Sequence, residues 1–395
     1  MATFADKSDF VQYEKRIQRH KKQKLFILLG ILLVAVAICV YLIFSYINRV
    51  FNSYVVSNQI ERQDSGEVTY LPYGDQVLRI SRDGACAYNS SGNITFNGSY
   101  NMRNPKADIC NNYIAVADIG GYNVVVFDGT NSGKEIKVTL PILQVQVARQ
   151  GMVAVLMEDK DTNVIQLIKS DTTVDALVAE VITNVDENGF PVNMALSDDG
   201  KRLVTNYMQV NNGVIKNQAT FYSFSDVGQN ELNRMVGMKD YGDTTIANVK
   251  FIGNDTVCVF TTTGFELFSF SEKSKEVYAE TFKNNIKSVF TTDSYIGFVT
   301  ENHNESDKYQ VQIYNTNGKK VYNKSINFDY EKVIMGEKEM IFYSDKECHI
   351  IKLNGVEKFK YSFDKNISAL MPINNYNKYY LISDSTLDII KLTED

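Results

Sequence analysis

The chain has 395 residues, 22% of them charged and 12% aromatic, with 5 Pro and no Trp. Its formal charge is −6 at pH 7, split between net +4 in residues 1–24 and net −10 in residues 25–395. The length excludes a single small domain, and an acidic body excludes a protein built to hold a phosphate backbone.

The first element is the 23-residue uncharged run Leu25–Ile47. As a helix it is long enough to cross a bilayer with some tilt. Lys15, Arg16, Arg19, Lys21, Lys22 and Lys24 precede it, and only Arg49 and Arg62 follow closely. The positive-inside rule then predicts a cytoplasmic tail at 1–24, a transmembrane helix at 25–47, a linker at 48–52 and an extracytoplasmic domain at 53–395. A cleaved signal peptide is the alternative, but its apolar region is usually about 7–15 residues. Phe10, Tyr13 and Ile17 fall at helical spacing, so a short juxtamembrane helix is also expected.

Beyond the linker, short β-branched and aromatic runs recur with a common ending: an apolar residue, then a polar turn. The last apolar residues are Tyr88, Phe127, Ile168, Phe224, Phe270, Tyr314, Leu353 and Leu392, at spacings of 39, 41, 56, 46, 44, 39 and 39. Units of about 40–45 residues with four short strands are the signature of an all-β propeller. In the sixth unit, strands A to D are expected at Ile286–Phe290, Ile296–Thr300, Tyr309–Tyr314 and Lys320–Ile326. The eighth unit supplies A, B and C and then the chain stops. Ser53–Arg62 is strand-like and is expected to return as its missing outer strand, because an open ring would leave unpaired edges. Eight blades are therefore favoured, with seven as the alternative. Strand D would then begin on the face of the A–B and C–D turns, leaving the B–C loops on the other, distal face.

The basic tail and anchor, "LPYGDQVLRISRDG" after the linker and "NNYIAVADIGGYNVVVFD" in the second unit carry a family resemblance. The chain resembles an uncharacterised family of single-pass, membrane-anchored propellers of Gram-positive anaerobes, filed as a domain of unknown function. The resemblance covers most of the chain, implies the fold and implies no activity. More distantly the repeats are similar to quinoprotein-type and YVTN-type propellers. The quinoprotein pattern depends on Trp residues, which are absent here.

Candidate chemistry is sparse. Asp159, Asp161 and Asn163 have the spacing that opens a calcium loop, but Val164 and Ser170 stand where an EF-hand needs Gly and Glu. A hairpin turn is the simpler reading. His303 and His349 lie in different units and do not form a zinc set. Cys86, Cys110, Cys258 and Cys348 sit in apolar runs without metal-ligand spacing and read as free buried thiols. No nucleophile elbow, Walker loop or dinucleotide fingerprint occurs, so no enzyme and no cofactor is expected.

Two features stand above this background. "YMQVNNGVIKNQATFYSF" reads as an extended B–C hairpin with its tip at Asn211, Asn212 and Gly213. The B–C loops carry eleven acidic residues, among them Asp159, Asp161, Glu301 and Asp307, against Arg82, Lys160, Lys308 and Lys346. Together they predict a scaffold that holds another envelope or membrane protein and no nucleic acid. A ligand-sensing or carbohydrate-binding propeller, and an envelope hydrolase or lyase, are the alternatives.

Overall fold

The structure, a computed structural model, describes residues 7–394 apart from 63, 65, 131–132, 171–175, 212, 303–305, 337 and 374–375. It forms two units, Met1–Val50 and Phe51–Asp395. The first is one continuous helix, Lys7–Ile47, that includes the expected juxtamembrane turns. Its C-terminal part is long and apolar enough to cross a membrane.

The second unit is a propeller of eight four-stranded antiparallel sheets. Each blade runs A to D from the middle outward, since A strands are the ones that touch their counterparts in neighbouring blades. The eighth blade is completed by Ser53–Glu61, which pairs antiparallel with Thr386–Thr393. The seven-blade alternative is thereby excluded. Every residue used to align the repeats lies in a C strand or one position beyond it.

The sixth blade shows why these segments fold so. Its strands are Ile286–Thr291, Tyr295–Glu301, Tyr309–Asn315 and Lys320–Ile326. Val311 and Ile313 are fully buried while their neighbours Gln310 and Gln312 are partly exposed, the period-two pattern of a half-buried strand. Asn315 turns the chain: its Oδ1 accepts from the backbone N–H of Asn317 (3.1 Å) and Lys319 (2.9 Å). Gly318 follows at φ 77°, where a side chain would be strained.

The A–B pairing also repeats. Blades 3, 4, 5, 6 and 8 each have a register shift around the second residue of strand A, at 142/144, 191/193, 246/248, 286/288 and 367/369. Such a bulge bends the strand and re-aims the residue that follows. In blades 3 and 4 that residue, Gln144 or Asn193, bonds to the backbone of the next blade.

Between blades the packing is apolar. Blades 3 and 4 close over Leu156, Ile165, Leu167, Leu203 and Tyr207, for example. At the entrance to the ring, Phe51 is buried against Phe359 of blade 7, and its N–H donates to the Lys358 carbonyl (2.8 Å). Of the propeller cysteines, Cys86, Cys258 and Cys348 are buried, Cys110 is partly so, and all are free thiols.

Candidate functional site

The B–C loops share one face of the disk, as the topology requires. One of them departs from the rest. Strands B and C of blade 4, Arg202–Asn211 and Val214–Ser223, are ten residues each, the longest in the ring. Strand A pairs with B only as far as Met208, and strand D pairs with C only from Asn217. Residues 209–216 therefore continue as a two-stranded ribbon, about 10 Å beyond the four-stranded part at ~3.3 Å per residue. Gly213, at φ 80°, makes the reversal; Asn212 lies outside the described residues, and Asn211 ends strand B. The cross-strand pair Val210 and Ile215 is exposed, and so is Val214.

Asp159 and Asp161 are exposed in the neighbouring loop of blade 3. Glu301 and Asp307, both half-buried, belong to blade 6 and so lie apart from them around the ring. Glu301 accepts from Asn285 Nδ2 at 3.0 Å. Glu347 approaches His349 Nε2 at 3.2 Å, and Asp118 caps the backbone N–H groups of Arg103 and Asn104. Part of the acidity expected on this face is thus engaged in structure; Glu305 lies outside the described residues.

The three members of the calcium pattern do not converge. Asn163 is 1% exposed and is on the strand face that meets blade 4, where Ile165 and Leu167 also pack. Asp159 and Asp161 are in the turn above it. Among the described residues no group of three or more His, Cys, Asp or Glu could hold a metal. His303 lies outside the described residues. His349 is buried in blade 7, its ring stacked at 3.6 Å on Phe328, with Nδ1 2.7 Å from Glu357 and Nε2 facing Glu347.

Three polar clusters were not legible in the sequence. The first lines the centre of the ring. Asp108, on strand A of blade 2 (Pro105–Cys110), accepts from the Val147 N–H at 2.7 Å. Lys250, on strand A of blade 5 (Ile246–Ile252), exerts a charge interaction on it. Inner strands three blades apart can meet only across the central channel. Burial raises the Asp108 carboxyl to about 6, against the opposing pull of Lys250 and two backbone N–H groups. Burial also lowers Lys250, whose Nζ donates to Thr291 Oγ1 at 2.8 Å.

The second cluster holds the seam between blades 8 and 1. Asp64 joins Arg62 (2.7 Å) to Arg79 (2.6 Å) beside a cavity of about 150 Å³ that Tyr70 and Tyr88 also line. Burial opposes the Asp64 charge, but the two guanidinium groups outweigh it and hold the carboxyl below its usual range. The third is Lys358, 3% exposed, whose Nζ donates to Glu339 (2.7 Å), the Tyr376 carbonyl (2.6 Å) and Tyr379 Oη (2.6 Å). Each cluster draws residues from more than one blade, so no local spacing announces it.

The profile of a family described only as of unknown function, DUF5711, matches residues 47–392. The chain belongs to that family. No curated protein matches it by sequence. In fold, this DUF5711 member is similar to BamB from Moraxella catarrhalis, at 13% identity and TM-score 0.50 over 87% of this chain and 99% of that one. It is also similar to Chaetomium thermophilum Sqt1 bound to the N-terminus of the ribosomal protein L10, at 12% identity and TM-score 0.51 over 81% and 94%. A eukaryotic initiation factor gives 11% identity and TM-score 0.52 over 86% and 88%. At these identities the likeness is one of fold.

Proposed function

We propose that this DUF5711 member is a membrane-anchored scaffold whose propeller lies outside the cytoplasm and holds an envelope or membrane protein. The hairpin of blade 4 carries this reading. It extends past its own sheet and exposes Val210, Val214 and Ile215 at its end. A bare two-stranded ribbon is marginal in water, and exposed apolar side chains on it favour a covering partner. The helix ending at Ile47 supplies the anchor, and the basic residues before it favour a cytoplasmic N-terminus. Another propeller of similar fold, Sqt1, takes a protein terminus as its partner. Asp159 and Asp161 flank the hairpin and would favour a basic rim on that partner.

A photo-crosslinking residue at Val210 in the full-length protein tests this in cells. A defined membrane or envelope protein should be captured, and capture should fall when Val214 and Ile215 are both changed to Lys or when Asp159 and Asp161 are reversed to Lys. Undiminished capture by both variants, at unchanged protein level, would sink the proposal.

The channel favours a second reading, a small-ligand sensor. Asp108 and Lys250 offer opposite charges on inner strands, Asp108 half-buried and Lys250 exposed. Its signature is a melting temperature that climbs with ligand concentration in the parent and stays flat in Asp108→Asn.

A further inference from the structure

Eighteen large apolar side chains are exposed among the described residues of 51–395, and eleven of them belong to blades 3 and 4. By sequence, residues 142–242 also carry net −5 of the net −11 in residues 51–395. One quarter of the ring therefore combines most of the exposed apolar side chains with nearly half of the net charge. Such acid-bordered apolar surface marks a contact site more often than a solvated one.

Part of it lies on the rim, away from the hairpin tip. Strand D of blade 3, Ala176–Asn184, exposes Leu177 (54%), Val178 (43%) and Ile182 (50%). Leu232, at 81%, and Met235 belong to the adjoining edge of blade 4. Asn233 Nδ2 donates to the Ile182 carbonyl at 3.2 Å, which joins the two groups into one surface.

This strand lacks a charged guard, although Val178 is bulged out of the pairing and Asn233 holds the Ile182 carbonyl at one end. Outermost strands that must not pair usually carry lysine or a similar block. The outer strands of blades 2, 4, 5, 6 and 7 each carry at least one lysine. "ALVAEVITN" has none over nine residues, and its one charge is Glu180. Asp186, Glu187 and Glu231 are near it in the chain or on the adjoining connection.

We propose that strand D of blade 3 is a docking edge for an extended protein segment that carries apolar and basic side chains in turn along one face, at every second residue, because Val178, Glu180 and Ile182 share one face of the strand. The segment adds to the blade as a fifth strand. Main-chain hydrogen bonds supply affinity, and alternate side chains supply selectivity. Its apolar side chains cover Leu177, Val178 and Ile182. Its basic side chains meet Glu180 and the surrounding acidic field. This rests on the scaffold reading and gives the partner its chemistry.

Ten-residue peptides with Ser at every odd position and, at the even positions, Val and Lys in turn (Val/Lys), Val and Glu in turn, or Ser and Lys in turn provide the probes, added to full-length protein in detergent and followed by fluorescence anisotropy. The Val/Lys peptide should bind roughly ten-fold or more tightly than either other. Leu177→Lys should remove most of that difference, while Val55→Lys on the other nine-residue lysine-free outer strand should not. Amide exchange should slow between residues 177 and 182 when the peptide is present. Equal binding of all three peptides, or binding indifferent to Leu177→Lys in a variant with unchanged melting temperature, overturns the proposal. If the Val210 crosslinker captures a partner while the peptides ignore blade 3, this inference fails and the scaffold stands. Silence in both experiments removes both.

Discussion

Asp108→Asn should stabilise the propeller at neutral pH, although it deletes a charge from a residue that is hydrogen-bonded. The carboxylate sits in the channel wall, half-buried among the inner strands. Burial raises its titration from the ordinary 3.8 to about 6. At ~1.4 kcal/mol per pH unit, the ionised form costs about 3 kcal/mol in the folded state relative to the unfolded chain. The sign follows from proton binding. Between 3.8 and 6 the folded chain holds more protons at this site than the unfolded chain, so stability falls as pH rises. The loss is complete above about 6 and absent below 3.8. An Asn Oδ1 can still accept from the Val147 N–H, so the substitution mimics the protonated acid. Denaturant unfolding of parent and variant in detergent, from pH 3.5 to 8, gives the comparison. The variant should be more stable by about 3 kcal/mol at pH 7.5, and the two should converge near pH 4. A gap that does not change with pH, or its absence at pH 7.5, would refute the reasoning. Lys250→Met, which removes the opposing cation, should move the parent's transition to still higher pH.

Four further outcomes are expected. Arg202 is 5% exposed and joins Asp199, Asp255 and the Phe270 carbonyl across blades 4 and 5; because both carboxylates stay open to solvent, Arg202→Met should cost about 1–3 kcal/mol in denaturant unfolding. Phe51→Ala empties a buried aromatic site and should cost about 3–5 kcal/mol, read as a lower melting temperature. Gly318→Ala places a Cβ at 2.2 Å from the Tyr278 ring at a positive φ, so calorimetry should show a loss of about 2 kcal/mol or more. Burial pushes the Cys110 and Cys348 thiols up to about 12 and Cys258 well above its ordinary value. Those three should react with a disulfide reagent at pH 8 far more slowly than after unfolding, and equal rates would contradict their placement.

The repeat was legible because it is local. Most C–D hairpins write their turn chemistry within a few residues, as Asn315 and Gly318 do, and the period of those turns gives the ring. The closing strand was legible for a different reason: the last unit lacked a D strand, and an apolar β-run stood unused before the first. The site was less legible. The hairpin of blade 4 could be placed because its length and its Asn-Gly tip are adjacent in the chain. Asn163 was misleading, because the calcium spacing ignores which face of a strand a residue occupies; one position in a turn and the next in a strand point to different surroundings. Asp108 and Lys250, like Arg202 with Asp255, are brought together only when the ring closes. The connection between strands C and D of blade 4, with its exposed Leu232, has no counterpart in the other repeats and no motif of its own.

The closing strand also sets an order of events. Ser57 bonds to the Ile389 carbonyl across 332 residues of chain. At a synthesis rate of about 5–20 residues per second, the first strand leaves the ribosome roughly 15–65 s before its partner exists. Blades 1 to 7 can assemble in that interval, each from contiguous chain. The eighth cannot, and the strand with exposed Val55 and Val56 must wait unpaired. A chain that ends early therefore cannot complete the ring, however well its first seven blades have formed. Closure of the ring waits until residues 386–393 have been made.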